Sequence, residues 1–143
     1  MKKYLALDLG TTTVGIATND SLGITVHPIE TFRFEPGNFK AAREHVVELA
    51  KKEGIKDIVL GMPLYNSGDI SPHAQSCLRF KDDLLKLDPT LNIEMVDESY
   101  STIEADEKLK VTTNLSYEKR KKIIDEMAAV VILERFLEKS GGK

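Results

Sequence analysis

The chain has very little cysteine and no long apolar run. Its 143 residues contain one cysteine, Cys77. That excludes an internal disulfide framework and a cysteine-rich zinc site. Nothing approaches the roughly 20 consecutive apolar residues of a membrane span. Met1-Lys2-Lys3 leads straight into a strand rather than into a signal-type apolar segment. Together these readings point to the cytoplasm. No basic excess is present either: 20 Lys and Arg stand against 23 Asp and Glu, a formal net charge of -3. That argues weakly against indiscriminate nucleic-acid binding, although acids gathered at a metal site would account for part of the balance. There is no repeat, low-complexity segment or linker. The length suits one domain spanning 1–143, by the soft prior of roughly 100–200 residues each.

The segment Tyr4-Leu5-Ala6-Leu7-Asp8-Leu9-Gly10-Thr11-Thr12 carries the first chemical signal. Tyr4 to Leu9 is nearly continuous apolar, as a central strand is. Yet Asp8 interrupts it just before a glycine turn. Burying an ionised acid is expensive without a cation or a good partner. The segment therefore reads as a metal site, a phosphate-binding turn or an acid capping the turn. Strand alternation sets Tyr4, Ala6 and Asp8 on one face and Leu5, Leu7 and Leu9 on the other.

Further along, Thr13–Thr18 reads as a hairpin partner and Asn19–Gly23 as turn chemistry. A third strand is expected over about Ile24–Phe34, with Pro28 marking an edge or a bulge. A helix follows over Phe39–Lys52, with Ala42, Val46, Val47, Leu49 and Ala50 at helical spacing and Gly54 beyond its end. Ile55–Leu60 reads as a buried strand, Leu64–Ser71 as a polar loop, and Pro72–Leu87 as a helix capped by Ser71. Leu91–Val96 is the fifth strand. A short helix is expected over about Thr102–Lys110, and a long one from the Ser116 cap to about Leu137. Three meandering strands followed by α, β, α, β, α, α make a mixed sheet with helices on both faces. The order suits a ribonuclease H-like α/β architecture.

Two more acids join Asp8. Asp97 and Glu98 follow the fifth strand. Extended neighbours point to opposite faces, so only one of them can join a cluster. Asp125 lies in the last helix with Ala128, Ala129 and Ile132 at i+3, i+4 and i+7, on an apolar side rather than a charged one. Carboxylates are hard oxygen ligands suited to Mg²⁺ or Mn²⁺. His27, His45 and His73 are scattered, so no zinc alternative arises from histidine and cysteine. Lys119-Arg120-Lys121-Lys122 is the densest basic cluster, at a helix start where cations run against the dipole. It reads either as a solvated helix start or as a phosphate contact.

Leu7-Asp8-Leu9-Gly10-Thr11, Val14-Gly15-Ile16-Ala17 and Asp20 come first in a longer series. Gly61-Met62-Pro63-Leu64 with Asn66 and Gly68 follows, then Asp97-Glu98 with Thr102 and Glu104-Ala105, and last Asp125 with Ala128-Ala129. In this order and spacing the chain resembles, over nearly its whole length, the YqgF family of Holliday-junction-resolvase-like, pre-16S ribosomal RNA nucleases. The resemblance implies a ribonuclease H-like fold, a divalent metal and maturation of the 5′ end of small-subunit ribosomal RNA. It matches Asp8, Glu98 and Asp125 to the family's acidic triad. The partner it implies is structured precursor RNA or branched DNA. Thr11, Thr12, Asn66 and the Lys119–Lys122 cluster are the candidate nucleic-acid contacts. No membrane partner is expected, and monomer and homodimer stay open.

Two departures stand out. Thr12-Thr13 replaces the family's usual Lys-Arg, and Ser99-Tyr100-Ser101 stands in Asp97-Glu98-Ser99-Tyr100-Ser101-Thr102 where Arg-Leu-Thr is usual. Two or three phosphate contacts are thereby lost. Either Lys119–Lys122 compensates or binding is weaker. Three other readings remain: a branched-DNA resolvase with the same chemistry, a non-catalytic RNA- or ribosome-associated module, and a phosphotransferase or ATPase of the actin and sugar-kinase type. The Asp8–Thr12 turn suits the last of these, but the chain is one lobe long.

Overall fold

The computed structural model describes residues 2–20, 25–62, 72–97 and 116–139, except for the side chains of 97, 117–123, 125 and 126. Five strands form one sheet: β1 (Tyr4–Leu9), β2 (Thr13–Asn19), β3 (Val26–Arg33), β4 (Asp57–Met62) and β5 (Asn92–Asp97). Their order across the sheet is β3-β2-β1-β4-β5. β1 is therefore central, antiparallel to β2 and parallel to β4. β4 and β5 are also parallel. Three helices are described: α1 (Phe39–Glu53), α2 (Pro72–Leu87) and α3 (Tyr117–Lys139).

The two faces of β1 are filled differently. Leu5, Leu7 and Leu9 join Val14, Ile16, Ile58 and Leu60 in a core with Val46 of α1 and Phe80 and Leu84 of α2. Ala6 joins Ala17, Val59 and Val96 in a second core with Ala129, Val130, Ile132 and Leu133 of α3. The split follows the expected alternation along β1. Each fully buried leucine of β1 contributes about 1.5–3 kcal/mol by leaving water. On the α3 side the sheet offers Ala6 and Ala17, and α3 answers with Ala129, all three fully buried. Small residues on both surfaces let the helix lie close to the strands.

Caps fix the ends of α1. The Asn38 side chain accepts from the Ala41 amide at 3.3 Å. Gly54 terminates the helix at φ 69°, in the left-handed region where a Cβ is penalised. Pro28 lies on an edge strand, and the β2–β3 register slips between Ile16 and Ala17, opposite it. Both consequences expected of Pro28 are present.

Several boundaries differ from the sequence reading. β4 starts at Asp57 rather than Ile55. Ile55 is buried before the strand, its amide donating to the Ala50 carbonyl at 2.9 Å. Burial of an apolar side chain does not require ladder pairing, so hydropathy placed the start two residues early. Asn19 closes β2 instead of opening a turn. Its fully buried side chain accepts from the Tyr4 amide at 2.8 Å and donates to the Lys2 carbonyl at 3.0 Å. β3 begins at Val26 and ends at Arg33. The Leu64–Ser71 loop with its Ser71 cap, the Thr102–Lys110 helix and most of the Asn19–Gly23 turn lie outside the described residues.

Candidate active site

Asp8 is the next-to-last residue of β1 and is half-buried. Alternation places it with Tyr4 and Ala6, on the face that α3 covers. Its neighbour across the antiparallel ladder is Gly15. On the other side the parallel register runs Leu7 to Leu60, and one further step sets Asp8 beside Gly61. Gly61 in turn pairs with Val96. The acid is thus flanked on both strands by residues without side chains.

The turn after β1 is tight. The Gly10 amide donates to the Thr13 carbonyl at 2.7 Å. A Cβ on Gly10 would come within 3.1 Å of Thr13 Oγ1, so the hydroxyl leaves little room for any larger residue. Thr13 is itself buried, which removes it as a solvent-facing replacement for a basic residue. Thr11 is exposed and Thr12 half-buried. The Thr12 carbonyl accepts from the Phe34 amide at 2.9 Å, which fastens this turn to the end of β3.

Helix α3 brings a second acid-bearing element to the same face. The Phe136 ring meets Tyr4, at the start of β1, edge-on with centroids 5.0 Å apart. From there the helix runs back along the sheet with Leu133, Ile132 and Ala129 buried beneath it. Asp125 lies eleven residues before Phe136, about 16 Å along the helix axis. Asp8 lies four residues after Tyr4, about 13 Å along the strand. The two lengths are similar, and both elements belong to the α3 face of the sheet. Asp125 is a helical position whose side chain is outside the described residues. Lys119, Arg120, Lys121 and Lys122 occupy the first turns of α3, likewise without described side chains.

β5 ends at Asp97, level with Met62 of β4. Val96 belongs to the α3-side core and Met95 packs against the opposite one. Glu98 and Asn66 lie outside the described residues. Among the described residues no group of three His, Cys, Asp or Glu side chains is placed to hold an ion. Cys77 and His45 are engaged elsewhere. Cys77 is fully buried in the α1–α2 core. His45 holds Glu30 at 3.0 Å and stacks on Phe32 at 4.0 Å. The candidate set Asp8, Glu98 and Asp125 offers oxygen donors, which fit a hard divalent cation.

Residue Asn19 went unrecognised in the sequence as a structural clamp. With Thr18, whose hydroxyl donates to the Tyr4 carbonyl at 2.7 Å, it holds both backbone groups of Tyr4 and so sets the start of the strand that carries Asp8. An Asn followed by Asp looks like turn chemistry, and no local signal separates the two roles.

Known proteins agree with this architecture. RuvC of Thermus thermophilus, solved in complex with a Holliday junction substrate, superposes with a TM-score of 0.62 at 10% identity, covering 98% of this chain and 97% of that one. The Holliday junction resolvase of fowlpox virus gives 0.55 at 12% identity, covering 96% and 98%. These likenesses establish the ribonuclease H-like resolvase fold. In sequence, the chain is 38% identical over 137 residues to a Bacillus cereus (strain AH187) protein named "Putative pre-16S rRNA nuclease", covering 96% of this chain and 98% of the relative. A Bacillus mycoides (strain KBAB4) protein of the same name is 39% identical over 136 residues, covering 95% and 98%. The profile of the family described as "RuvX: Holliday junction resolvase" matches residues 2–139. The chain belongs to this RuvX (YqgF) family of ribonuclease H-like nucleases.

Proposed function

We propose that this protein is a cytoplasmic, single-domain, divalent-metal-dependent endonuclease that trims the 5′ end of pre-16S ribosomal RNA. The observation that carries the reading is Asp8. It is a half-buried carboxylate at the end of the central strand, flanked by glycine positions, on the face covered by the helix that bears Asp125. Asp8, Glu98 and Asp125 form the carboxylate set.

Oxygen-only donors of this kind would hold Mg²⁺ or Mn²⁺, which when bound supplies an activated water and neutralises charge on the phosphodiester. The chain's own residues do the rest. Asp8 is held by a strand paired on both sides, so its position relative to the scissile phosphate is set without reorganisation. Asp125 or Glu98 orients the attacking water and accepts its proton. Thr11 and Thr12, on the turn clamped by the Gly10–Thr13 and Phe34–Thr12 hydrogen bonds, contact the backbone beside the cut. Asn66 and the Lys119–Lys122 cluster extend that contact, and the cluster offsets the basic residues replaced by Thr12 and Thr13. The family's name and the relatives' names support nuclease chemistry on structured nucleic acid.

The test is cleavage of a labelled pre-16S 5′ fragment by wild type and Asp8→Asn with Mg²⁺ or Mn²⁺, beside a four-way DNA junction. RNA cutting that disappears in Asp8→Asn and in chelator is expected. Preferential cutting of the junction would move the assignment to a DNA resolvase. Binding of RNA without cutting of either substrate would make the protein a non-catalytic module.

A further inference from the structure

Behind the catalytic edge, on the opposite face of the sheet, a cavity of about 270 Å³ opens between α1 and α2. Phe39, Arg43, Ser76, Arg79, Phe80 and Asp83 line it. Its charges are not self-cancelling. Arg43 is half-buried and held by Asp83 at 3.5 Å. Asp83 also meets Lys86 at 3.8 Å. Arg79 is exposed and forms no ion pair among the described residues, so one guanidinium is left for a ligand. Beside it stands an aromatic wall, Phe39, half-buried and backed by Phe34 at 5.4 Å. Ser76 donates to the Pro72 carbonyl at 3.3 Å and keeps its lone pairs for an incoming donor.

The location matters as much as the chemistry. β3 is antiparallel to β2, which is antiparallel to β1, so β3 and β1 end at the same edge of the sheet. α1 begins there, directly after β3. Phe34 donates its amide to Thr12 of the turn that follows Asp8, and Phe34 packs on Phe39. Two contacts therefore link the turn beside Asp8 to the aromatic wall of the cavity.

We infer that this cavity is a subsite for one unpaired nucleotide of the nucleic-acid substrate, its base laid against Phe39 and its phosphate on Arg79. A single strand passing over the sheet edge from Asp8 and the Thr11–Thr12 turn arrives at this cavity. Aromatic faces bind unstacked bases and guanidinium groups bind phosphate, and both are present side by side. The inference rests on the nucleic-acid reading above, but its readout is binding and does not depend on cleavage.

The experiment uses the full chain in chelator, with a labelled ten-nucleotide single-stranded RNA followed by fluorescence anisotropy across a salt series. Arg79→Gln leaves an exposed position uncharged and is expected to melt as wild type does, whereas Phe39→Leu keeps an apolar side chain at a half-buried position and is expected to melt slightly lower yet stay folded at 25 °C. Phe39→Leu is expected to weaken binding about tenfold. Arg79→Gln is expected to lower the slope of log affinity against log salt by about 0.7, one single-strand phosphate. Adenosine monophosphate should shift the backbone amide signals of Phe39, Ser76 and Arg79, whereas inorganic phosphate should shift that of Arg79 and leave Phe39 unmoved. This last arm separates a nucleotide site from a plain phosphate site. Wild-type affinity and slope in both variants would overturn the inference, as would absence of RNA binding by wild type. Equal competition by a decaglutamate peptide would also overturn it and assign the cavity to an acidic protein segment. If wild type binds as expected but cuts no substrate, the nuclease reading fails and the subsite stands.

Discussion

Asn19 provides a separation between holding the site and doing its chemistry. Its side chain is fully buried and makes three hydrogen bonds: from the Tyr4 amide at 2.8 Å, to the Lys2 carbonyl at 3.0 Å and to the Asp20 carbonyl at 3.3 Å. Asn19→Ala strips the Tyr4 amide and the Lys2 carbonyl of their partners at the start of the central strand. An orphaned buried group costs about 1–3 kcal/mol, and the vacated volume adds a smaller cavity term. The expected loss is about 2–4 kcal/mol, a large share of the roughly 5–15 kcal/mol that holds a domain together. For a chain of this size that lowers Tm by roughly 10 °C. Asp8 lies four residues away along a strand still paired on both sides, so cleavage per folded molecule below the transition should stay within about twofold of wild type. Asp8→Asn should show the reverse: Tm close to wild type or above it, and cleavage gone. Calorimetry and single-turnover cleavage on the same samples decide the matter. An Asn19→Ala protein that melts with wild type would refute the burial argument. One that is fully folded yet inactive would show that Asn19 does more than hold Tyr4.

The remaining expectations concern pH and the α1 cap. Hydrogen bonds from the Thr90 hydroxyl and amide hold the Asp88 carboxyl below its ordinary value of 3.8 against the opposing effect of burial, and the Lys56 ammonium adds less than either. The folded value is depressed, so this stabilisation is complete above the unfolded value near pH 4 and is lost as pH falls through the lower folded one. Thr90→Val should therefore flatten the fall of Tm on acidification below pH 4, and an unchanged pH profile would contradict the assignment. Gly54, at φ 69°, ends α1. Gly54→Ala is expected to cost about 1–2 kcal/mol, read as a lower urea midpoint with an unchanged slope, with Gly54→Asn milder. Equal midpoints for all three proteins would mean that the turn relaxes to negative φ.

The elements that were legible in the sequence are those whose signal is local. α2 runs over Pro72–Leu87 as its proline start and helical spacing indicate. Leu5, Leu7 and Leu9 separate from Ala6 because successive side chains of any strand alternate. The acid that interrupts an apolar strand was conspicuous for the same reason: Asp8 contradicts its surroundings in a way composition alone reveals. β4 began two residues later than hydropathy indicated, because Ile55 is buried without being paired. Asn19 looked like part of a turn because its partners, Lys2 and Tyr4, are 17 and 15 residues away.

Local periodicity and chemistry by themselves determined which of the described segments form strands and helices, which face of β1 carries Asp8, and which carboxylates are candidates for a metal. Tertiary structure alone decided that β4 lies on the other side of β1, that Phe136 of α3 packs on Tyr4, and that Phe39 and Arg79 share a cavity. The physical reason is range. Side-chain alternation and capping act over a few residues and leave a periodic trace, whereas strand order and helix docking join distant positions, such as Leu5 with Ile58 and Tyr4 with Phe136, and nothing in the sequence near either partner records the other.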